Sequence, residues 1–314
     1  MSLEVAMYPV GLDELVRDFE NTLQSAGPAK IVGIFGMGGV GKTTLAKELY
    51  NRKVSTFDRS SFVFDVSEAA RKGRLHEKQK KLLKDLDLEG KYIDFDNVKE
   101  GKEILKSRLR SVPMLIVLDD VDDPDQLNAL LPARESLGQG SQIIVTTRHL
   151  DVLTASGIST TYEMRPPNPP HAEQLFSWHA FRQPSPLSGF EDLTKSFINA
   201  CQDLPLSLAV LGSLLYGEPS KNIWQSQLNK ILKILPEDTK SKLKISYDAL
   251  DKTEKDMFLV VACFFIGEKR SLAIEVWDAL GWNGLHGWRR LVDKALVVVD
   301  HENCIRMQND LRDF

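Results

Sequence analysis

The chain has 314 residues and a formal net charge of −4, with 40 basic and 44 acidic side chains. This length suggests two or three domains, and the slightly acidic balance excludes a general electrostatic attraction to nucleic acid or to an anionic membrane. The three cysteines are scattered and the longest apolar run, residues 259–266, is too short to span a bilayer. A disulfide framework, a zinc site and a membrane segment are therefore not expected.

In the first half of the chain, apolar strand-like runs alternate with helical patterns. A turn at Pro9 and Gly11 precedes a first amphipathic helix over residues 12–23. Strands are predicted at residues 31–35, 61–66, 114–118 and 142–146, and further helices at residues 44–51, 75–86, 98–109 and 125–131. The strands are apolar almost throughout, which is typical of a parallel sheet buried on both faces.

A glycine-rich segment, Gly36-Met37-Gly38-Gly39-Val40-Gly41-Lys42-Thr43-Thr44, joins the first of these strands to a helix. Its spacing matches G-x-x-x-x-G-K-[ST], in which backbone N–H groups and the positive end of the helix surround a phosphate. Lys42 is expected to reach the β- and γ-phosphates, and the Thr43 hydroxyl to ligate Mg²⁺. The alternative, a glycine-rich turn that binds nothing, is disfavoured by the flanking strand and helix. The nucleotide contacts predicted here are Gly36, Gly38, Gly39, Val40, Gly41, Lys42, Thr43 and Thr44.

The strand predicted at residues 114–118 ends in two acids, Asp119 and Asp120. At the carboxyl edge of the sheet, Asp119 is expected to hold Mg²⁺ directly or through water, and Asp120 to orient or deprotonate an attacking water. A plain polar loop is the alternative, and the preceding glycine loop disfavours it. The next strand ends at Arg148, which could sense a γ-phosphate or simply cap a solvent-facing loop. Catalytic roles are assigned to Lys42, Asp119, Asp120 and Arg148.

One segment, residues 71–84, is locally basic. It could contact nucleic acid or acidic lipid, but its leucines also recur at helical spacing. We therefore interpret it as an amphipathic helix with a solvated basic face.

A proline-rich segment, residues 166–170, predicts a domain boundary, and the strand pattern fades after it. Helices are predicted at residues 172–181, 190–201, 205–216 and 224–235, and then at 239–250, 254–265, 272–280 and 285–294. Two short strands, 296–300 and 304–307, follow and suggest a winged-helix arrangement. We predict a nucleotide-binding α/β domain (1–160), a helical bundle domain (161–235) and a winged-helix domain (236–314). At the start of the 205–216 helix, Asp203 is a candidate N-cap and Pro205 suits the first helical position.

Taken together, these motifs resemble the NB-ARC module of plant nucleotide-binding leucine-rich-repeat immune receptors. The resemblance extends over residues 8–314, and the Asp122 and Ala262-Cys263-Phe264-Phe265 positions resemble the TIR-linked subclass more than the coiled-coil subclass. The motifs that carry it are Val10-Gly11-Leu12, the glycine loop, Leu115-Ile116-Val117-Leu118-Asp119-Asp120-Val121, Gly140-Ser141-Gln142-Ile143-Ile144-Val145-Thr146-Thr147-Arg148, Phe176-Ser177-Trp178-His179-Ala180-Phe181, Leu204-Pro205-Leu206 and Phe258-Leu259-Val260-Val261-Ala262-Cys263-Phe264-Phe265.

The resemblance implies an α/β P-loop NTPase fold of the STAND/AAA+ type, followed by a helical bundle and a winged helix that close over ADP. Exchange for ATP or dATP would release the winged helix and permit homo-oligomerisation, with slow Mg²⁺-dependent hydrolysis as the reset. Carried over by position, Val10 would lie near the adenine, Pro205 against the base or ribose, and Arg148 near the γ-phosphate, with Gly11 and Leu204 as further nucleotide contacts. The winged helix would be an intramolecular lid, so DNA is not expected as a partner. The N-terminal signalling domain and the leucine-rich repeats of the parent protein would lie outside this chain.

Two positions depart from the family pattern. Asp203 replaces a glycine, and because aspartate can cap a helix we expect little loss. Met307-Gln308-Asn309 replaces Met-His-Asp, so Gln308 would meet the ADP β-phosphate region without a cationic imidazole. Losing these charge-assisted contacts is expected to weaken the ADP-bound closed state by about 1–2 kcal/mol, roughly tenfold in the closed-to-open ratio.

Two other functions stay open from the sequence. A turnover ATPase of the motor or chaperone type would be supported by an arginine finger from a neighbouring subunit, which the sequence cannot place. A DNA-binding regulator would need a basic recognition helix, and residues 285–294 carry only Arg289, Arg290 and Lys294, with Asp293 among them. The N-terminus lacks the basic and apolar regions of a signal peptide, so a cytoplasmic or nucleo-cytoplasmic location is expected.

Overall fold

The computed structural model describes residues 2–24, 30–86, 94–109, 113–132, 137–233, 244, 246–300 and 303–307. The chain forms two compact units. The sheet unit comprises Leu12–Met37 and Gly41–Arg165, and the helical unit comprises Met1–Gly11, Gly38–Val40 and Pro166–Phe314. Among the described helices, none combines the length and apolarity needed to cross a membrane.

The sheet unit is built on five parallel strands in the order β2-β3-β4-β1-β5. They are β1 (Lys30–Phe35), β2 (Ser60–Val63), β3 (Leu115–Val121), β4 (Gln142–Thr147) and β5 (Thr161–Glu163). Strands β3 and β4 are buried along almost their whole length, because aliphatic side chains cover both faces. The helices are α1 (Leu12–Gln24), α2 (Lys42–Lys53), α3 (Val66–Arg71), α4 (Leu75–Asp85), α5 (Val98–Arg108), α6 (Pro124–Leu130) and α7 (Leu150–Ala155).

The four predicted strands are confirmed, and three elements were missed. Strand β5 has only three residues and a half-polar composition, so it carries no apolar alternation. Helices α3 and α7 have six residues each, too few for an apolar stripe to repeat. Val66, which was predicted to end β2, instead begins α3.

The helical unit begins with a four-helix cluster, α8 (Pro169–Phe181), α9 (Glu191–Cys201), α10 (Pro205–Leu215) and α11 (Lys221–Ile231). Trp224 is fully buried at its centre and stacks on Phe181, with ring centroids 5.3 Å apart. Because an indole of this size contacts several helices at once, Trp224 organises the packing of the cluster.

The remaining elements are α12 (Lys252–Val260), α13 (Arg270–Ala279), α14 (Gly284–Asp293), β6 (Val298–Val299) and β7 (Ile305–Arg306). A capping box between Asp251 and Glu254 starts α12, and one turn of π-helix, Val261–Phe265, continues it. Strands β6 and β7 pair antiparallel, so the predicted terminal hairpin is confirmed, with shorter strands than expected. The helix predicted at 239–250 falls largely outside the described residues, as do Gln308 and Asn309. The weakened closed state stays a prediction, and so does the three-domain division.

His179 is buried in this unit and its pKa is lowered to about 4, first by burial and then by the nearby Arg182 charge. Its Nδ1 lies 2.9 Å from the Ser213 Oγ. His179 is harder to protonate in the folded state than in the unfolded state. Its contribution to the stability of the fold is therefore fully present above pH 6.5 and is lost as the pH falls towards 4. We expect it to lower the free energy of unfolding by about 2 kcal/mol between pH 7.5 and pH 5.

This expectation can be measured by tryptophan fluorescence, because all five tryptophans lie in the helical unit. Denaturant unfolding at the two pH values should show a smaller loss in His179→Gln than in the natural protein. Equal losses would contradict a neutral buried imidazole.

Candidate functional site

The glycine loop joins β1 to α2 and requires glycine for its backbone. Gly36 has φ +148° and Gly41 has φ +107°, a region that side chains rarely adopt. A Cβ on Gly36 would approach the Met164 carbonyl oxygen to 2.5 Å. The loop thus follows a tight path before the first turn of α2, where N–H groups and the helix dipole favour an anion.

Lys42 is the first residue of α2 and is only 8% exposed. Its ammonium donates hydrogen bonds to the carbonyl oxygens of Gly36, at 2.8 Å, and Met37, at 2.7 Å. The side chain therefore folds back over the loop instead of extending into solvent. This arrangement holds a positive charge at the loop, which fits a phosphate ligand.

Asp119 lies near the carboxyl end of β3 and is 3% exposed. Its Oδ1 accepts hydrogen bonds from the Thr43 hydroxyl, at 2.8 Å, and the Thr146 hydroxyl, at 2.7 Å. Burial raises the pKa of this carboxyl to about 6, against the opposing effect of the two hydroxyls. The predicted metal residues Thr43 and Asp119 are thus brought together, and their oxygen atoms are the type of ligand that Mg²⁺ prefers.

Asp120 and Arg148 lie beside this pair. Asp120 has φ +56°, its N–H donates to the Thr146 Oγ1 at 2.8 Å, and its Oδ2 accepts from the Ser67 hydroxyl at 2.5 Å. The Arg148 Nε lies 3.9 Å from the Asp120 Oδ1. The residue predicted to activate water and the one predicted to sense a γ-phosphate therefore face each other in a loose ion pair.

The other predicted contacts lie in the helical unit. Val10 donates its N–H to the Tyr8 carbonyl oxygen at 2.9 Å, and Gly11 follows with φ +69°. Leu204 is the N-cap residue of α10 and Pro205 its first helical residue. The Gly39 carbonyl oxygen accepts a hydrogen bond from the N–H of Leu206 at 3.1 Å. Gly39 is thereby held against the first turn of α10.

Comparison with known families decides the classification. The model of the NB-ARC domain matches residues 12–185, more than half of the chain. The chain belongs to the NB-ARC family. A second model, the winged-helix domain of the disease resistance protein Roq1-like type, matches residues 251–314. The predicted NB-ARC resemblance and the predicted fold class are both confirmed.

Relatives of this NB-ARC chain include plant disease resistance proteins. It is 39% identical to disease resistance protein RUN1 of Vitis rotundifolia, over 96% of this chain and 22% of that protein. It is 34% identical to TMV resistance protein N of Nicotiana glutinosa, over 100% of this chain and 28% of that protein. The chain therefore spans less than a third of either relative's length.

A solved structure with a similar fold is a Signal Transduction ATPase with Numerous Domains (STAND) protein with a tetratricopeptide repeat sensor from Pyrococcus horikoshii. It covers 100% of this chain and 43% of its own length, with a TM-score of 0.57 and 18% identity. At this identity the likeness concerns the fold alone. The NB-ARC family and its P-loop fold imply that the chain binds a nucleotide.

Three residues of the NB-ARC site were given no role from the sequence. Thr146 and Ser67 hold Asp119 and Asp120, and the charge of Asp65 adds to the raised pKa of Asp119. Thr146 and Asp65 could have been found, because each has a polar side chain at the end of a predicted strand. Ser67 offered no comparable signal, since α3 was not predicted.

The interpretation of Asp203 as a helix cap is wrong. Pro205 takes the first helical position, so the N-cap is Leu204, which makes no side-chain cap bond. The N–H of Leu206, which a cap would satisfy, donates to Gly39 instead. Asp203 itself has φ +56°, the left-handed region that the family's usual glycine adopts without strain.

Replacing Asp203 by glycine is therefore expected to stabilise the helical unit by about 1 kcal/mol relative to Asp203→Ala. Both variants remove the carboxylate, but only glycine relieves the left-handed backbone. Denaturant unfolding followed by tryptophan fluorescence would measure the difference. An alanine variant as stable as the glycine variant would contradict backbone strain at this position.

Most of the basic segment at 71–84 lies in the amphipathic helix α4, as predicted, while Arg71 ends α3. Leu75, Leu82 and Leu83 of α4 are buried. Several of the basic side chains on this segment face acids, in the pairs Lys72–Glu68, Lys80–Asp94 and Lys81–Asp85. Helix α14 covers most of the residues considered above as a DNA recognition helix. Its Arg290 Nε donates a hydrogen bond to the Oε1 of the buried Glu254 at 2.9 Å.

Proposed function

We propose that this chain is the ADP/ATP switch module of an intracellular plant immune receptor of the TIR-linked subclass. The observation that carries the proposal is the buried Asp119 carboxylate bound by the Thr43 hydroxyl, beside a glycine loop that holds Lys42, in an NB-ARC chain. The relatives named disease resistance proteins support the biological setting. In this proposal the chain is divided into the nucleotide-binding, helical and winged-helix domains at 1–160, 161–235 and 236–314.

The phosphate-binding role falls on the sheet unit and the loop. Backbone N–H groups of residues 36–44 and the Lys42 ammonium bind the phosphates. Thr43 and Asp119 hold Mg²⁺, with Thr146 orienting the carboxylate. The metal, when bound, neutralises charge on the phosphate oxygens. Both hydroxyls donate to the same oxygen of Asp119, so neither occupies its Oδ2.

Slow hydrolysis follows from the surroundings of Asp120. A carboxylate that activates water needs an acceptor atom directed at that water. Here one carboxylate oxygen accepts a hydrogen bond from the Ser67 hydroxyl and the other faces Arg148, so both oxygens already interact with protein groups. This arrangement supports a switch with a slow reset over a turnover ATPase.

By the family resemblance, Val10 is assigned to the adenine and Pro205 to the base or ribose, with Gly11 and Leu204 as further nucleotide contacts and Gln308 assigned to the β-phosphate. ADP holds the closed resting state, and exchange for ATP or dATP opens the winged helix and permits homo-oligomerisation. The signalling domain and the leucine-rich repeats of the parent receptor are the partners that use this change.

The test is to denature the purified chain and identify the released nucleotide by ion-exchange chromatography. We expect stoichiometric ADP, and steady-state turnover slower than about one per second, below typical enzyme rates. A chain that releases no adenine nucleotide and binds none in calorimetry would refute the switch. Multiple turnovers per second without bound ADP would favour the turnover ATPase.

A further inference from the structure

The segment before α1, residues 2–11, is here named the N-terminal strap. It belongs to the helical unit and contains no helix or strand. Its position therefore depends on side-chain anchors, because no ladder of backbone hydrogen bonds compensates the entropy of ordering it. Val10, the proposed adenine contact, lies near the end of this strap.

Tyr8 is the main anchor of the strap. Its ring stacks on Trp178 of α8, with centroids 5.2 Å apart and planes 14° from parallel. The same ring meets His179 edge-on at 4.9 Å. Its hydroxyl accepts a hydrogen bond from the Arg182 Nη1 at 2.9 Å. Tyr8 is thus held by both apolar and polar contacts, two residues before Val10.

Arg182 is itself fixed in place. It is the C-cap residue of α8, with φ +58°, and its guanidinium lies 4.2 Å from the centroid of the Tyr216 ring. Contact with an aromatic face restricts a guanidinium and leaves its N–H groups free to be directed sideways. Arg182 therefore presents a fixed donor to the Tyr8 hydroxyl.

A second close approach lies on the other side of Val10. A Cβ on Gly11 would come within 2.6 Å of the Nδ1 of His171, near the start of α8. The strap thus meets α8 at both Tyr8 and Gly11. Val10 lies between these two points, so its position follows that of α8.

We infer that Tyr8 and Arg182 are positioning residues for adenine recognition, acting by holding Val10 in place through the Tyr8 hydroxyl. The inference rests on the proposed function, which places Val10 against the base. Binding contacts need to be held within about 0.5 Å to be effective, and loosening one end of an unstructured segment relaxes that precision. The effect should concern the base and leave phosphate binding unchanged.

The test uses the full 314-residue chain, exchanged free of nucleotide by dialysis, with ADP, GDP and tripolyphosphate titrated in the presence of Mg²⁺. Tyr8→Phe removes only the hydroxyl and keeps the ring on Trp178, and Arg182→Met removes the donor because methionine has no N–H group in its side chain. We expect each to weaken ADP about fivefold, lower the preference for ADP over GDP, and leave tripolyphosphate affinity unchanged. The double variant should bind ADP no more weakly than the single variant with the larger loss, since both substitutions remove the same hydrogen bond. Tyr216→Phe keeps the ring below Arg182 and serves as the matched control, with natural affinities expected.

The outcomes separate the inference from the proposed function. If the natural chain binds no adenine nucleotide, the proposed function fails. If the natural chain binds ADP while both variants bind it with natural affinity and natural ADP-to-GDP preference, the positioning role fails. Equal weakening of ADP and tripolyphosphate would also overturn it, because that indicates a general disturbance of the unit. Should Arg182→Met lose its circular dichroism spectrum, Tyr8→Phe alone decides the inference, because it removes the same hydrogen bond and leaves Arg182 in place.

Discussion

Replacing Lys42 by methionine is expected to weaken the binding of MgATP and MgADP about 100-fold, or about 2.7 kcal/mol. Methionine keeps an unbranched apolar stem over the loop, but it removes the ammonium that now contacts the Gly36 and Met37 carbonyl oxygens. The loss is that of a charge-assisted bond to phosphate in a largely desolvated position. Isothermal titration calorimetry on the purified chain would measure it.

The control for this prediction is Lys53→Met, at the other end of the same helix. The Lys53 Nζ lies 3.7 Å from the Glu20 Oε1, so replacing Lys53 removes a surface charge pair and leaves the glycine loop unchanged. Natural affinity is expected for this control. An Lys42→Met variant that binds within about threefold of the natural protein would contradict a phosphate-binding role for Lys42.

Asp119→Asn is expected to have two effects of opposite sign. It should stabilise the nucleotide-free sheet unit at pH 7.5 by about 2 kcal/mol, because a buried carboxylate loses solvation that a neutral amide does not need. It should also remove most of the increase in ATP affinity that Mg²⁺ provides, so that ATP binding in the presence of Mg²⁺ weakens about tenfold or more. Scanning calorimetry measures the first effect, and titration with and without Mg²⁺ measures the second.

The pH dependence of stability tests the stabilising effect of Asp119→Asn independently. Burial raises the pKa of the Asp119 carboxyl to about 6, so the ionised form costs stability above that pH. The cost disappears as the pH falls through 6 towards the ordinary value of 3.8. The advantage of the asparagine variant should therefore shrink between pH 7.5 and pH 4. Asp151→Asn, at an exposed position on α7, should show neither effect, and an advantage for Asp119→Asn that grows on acidification would refute the desolvation argument.

The parts of this protein that could be predicted from its sequence are those whose informative residues lie close together along the chain. The glycine loop and the Asp119-Asp120 pair each lie within a few residues of an apolar strand, so strand, loop and helix were readable together. Parallel pairing then follows from burial on both faces, and it brings the two motifs to one edge of the sheet. The predicted meeting of Thr43 and Asp119 over 76 residues rests on this topology.

Contacts between distant side chains were beyond sequence reasoning. The Arg182 bond to Tyr8 spans 174 residues, and the bond between Ser67 and Asp120 depends on a six-residue helix with no visible pattern. The Asp203 interpretation failed for a different reason. Aspartate favours both helix caps and left-handed backbone, and residue type alone does not distinguish the cap position from the position just before it.

Strand β4 lies between β1 and β3, so the glycine loop and Asp119 leave the sheet from strands two places apart. Neighbouring strands are about 4.8 Å apart, which makes this separation about 10 Å. The distance is maintained by main-chain ladders along β1–β4 and β3–β4 and owes little to the identity of the core side chains. Exchanges among valine, isoleucine and leucine in these strands can therefore accumulate over evolutionary time without changing the distance between Asp119 and the glycine loop.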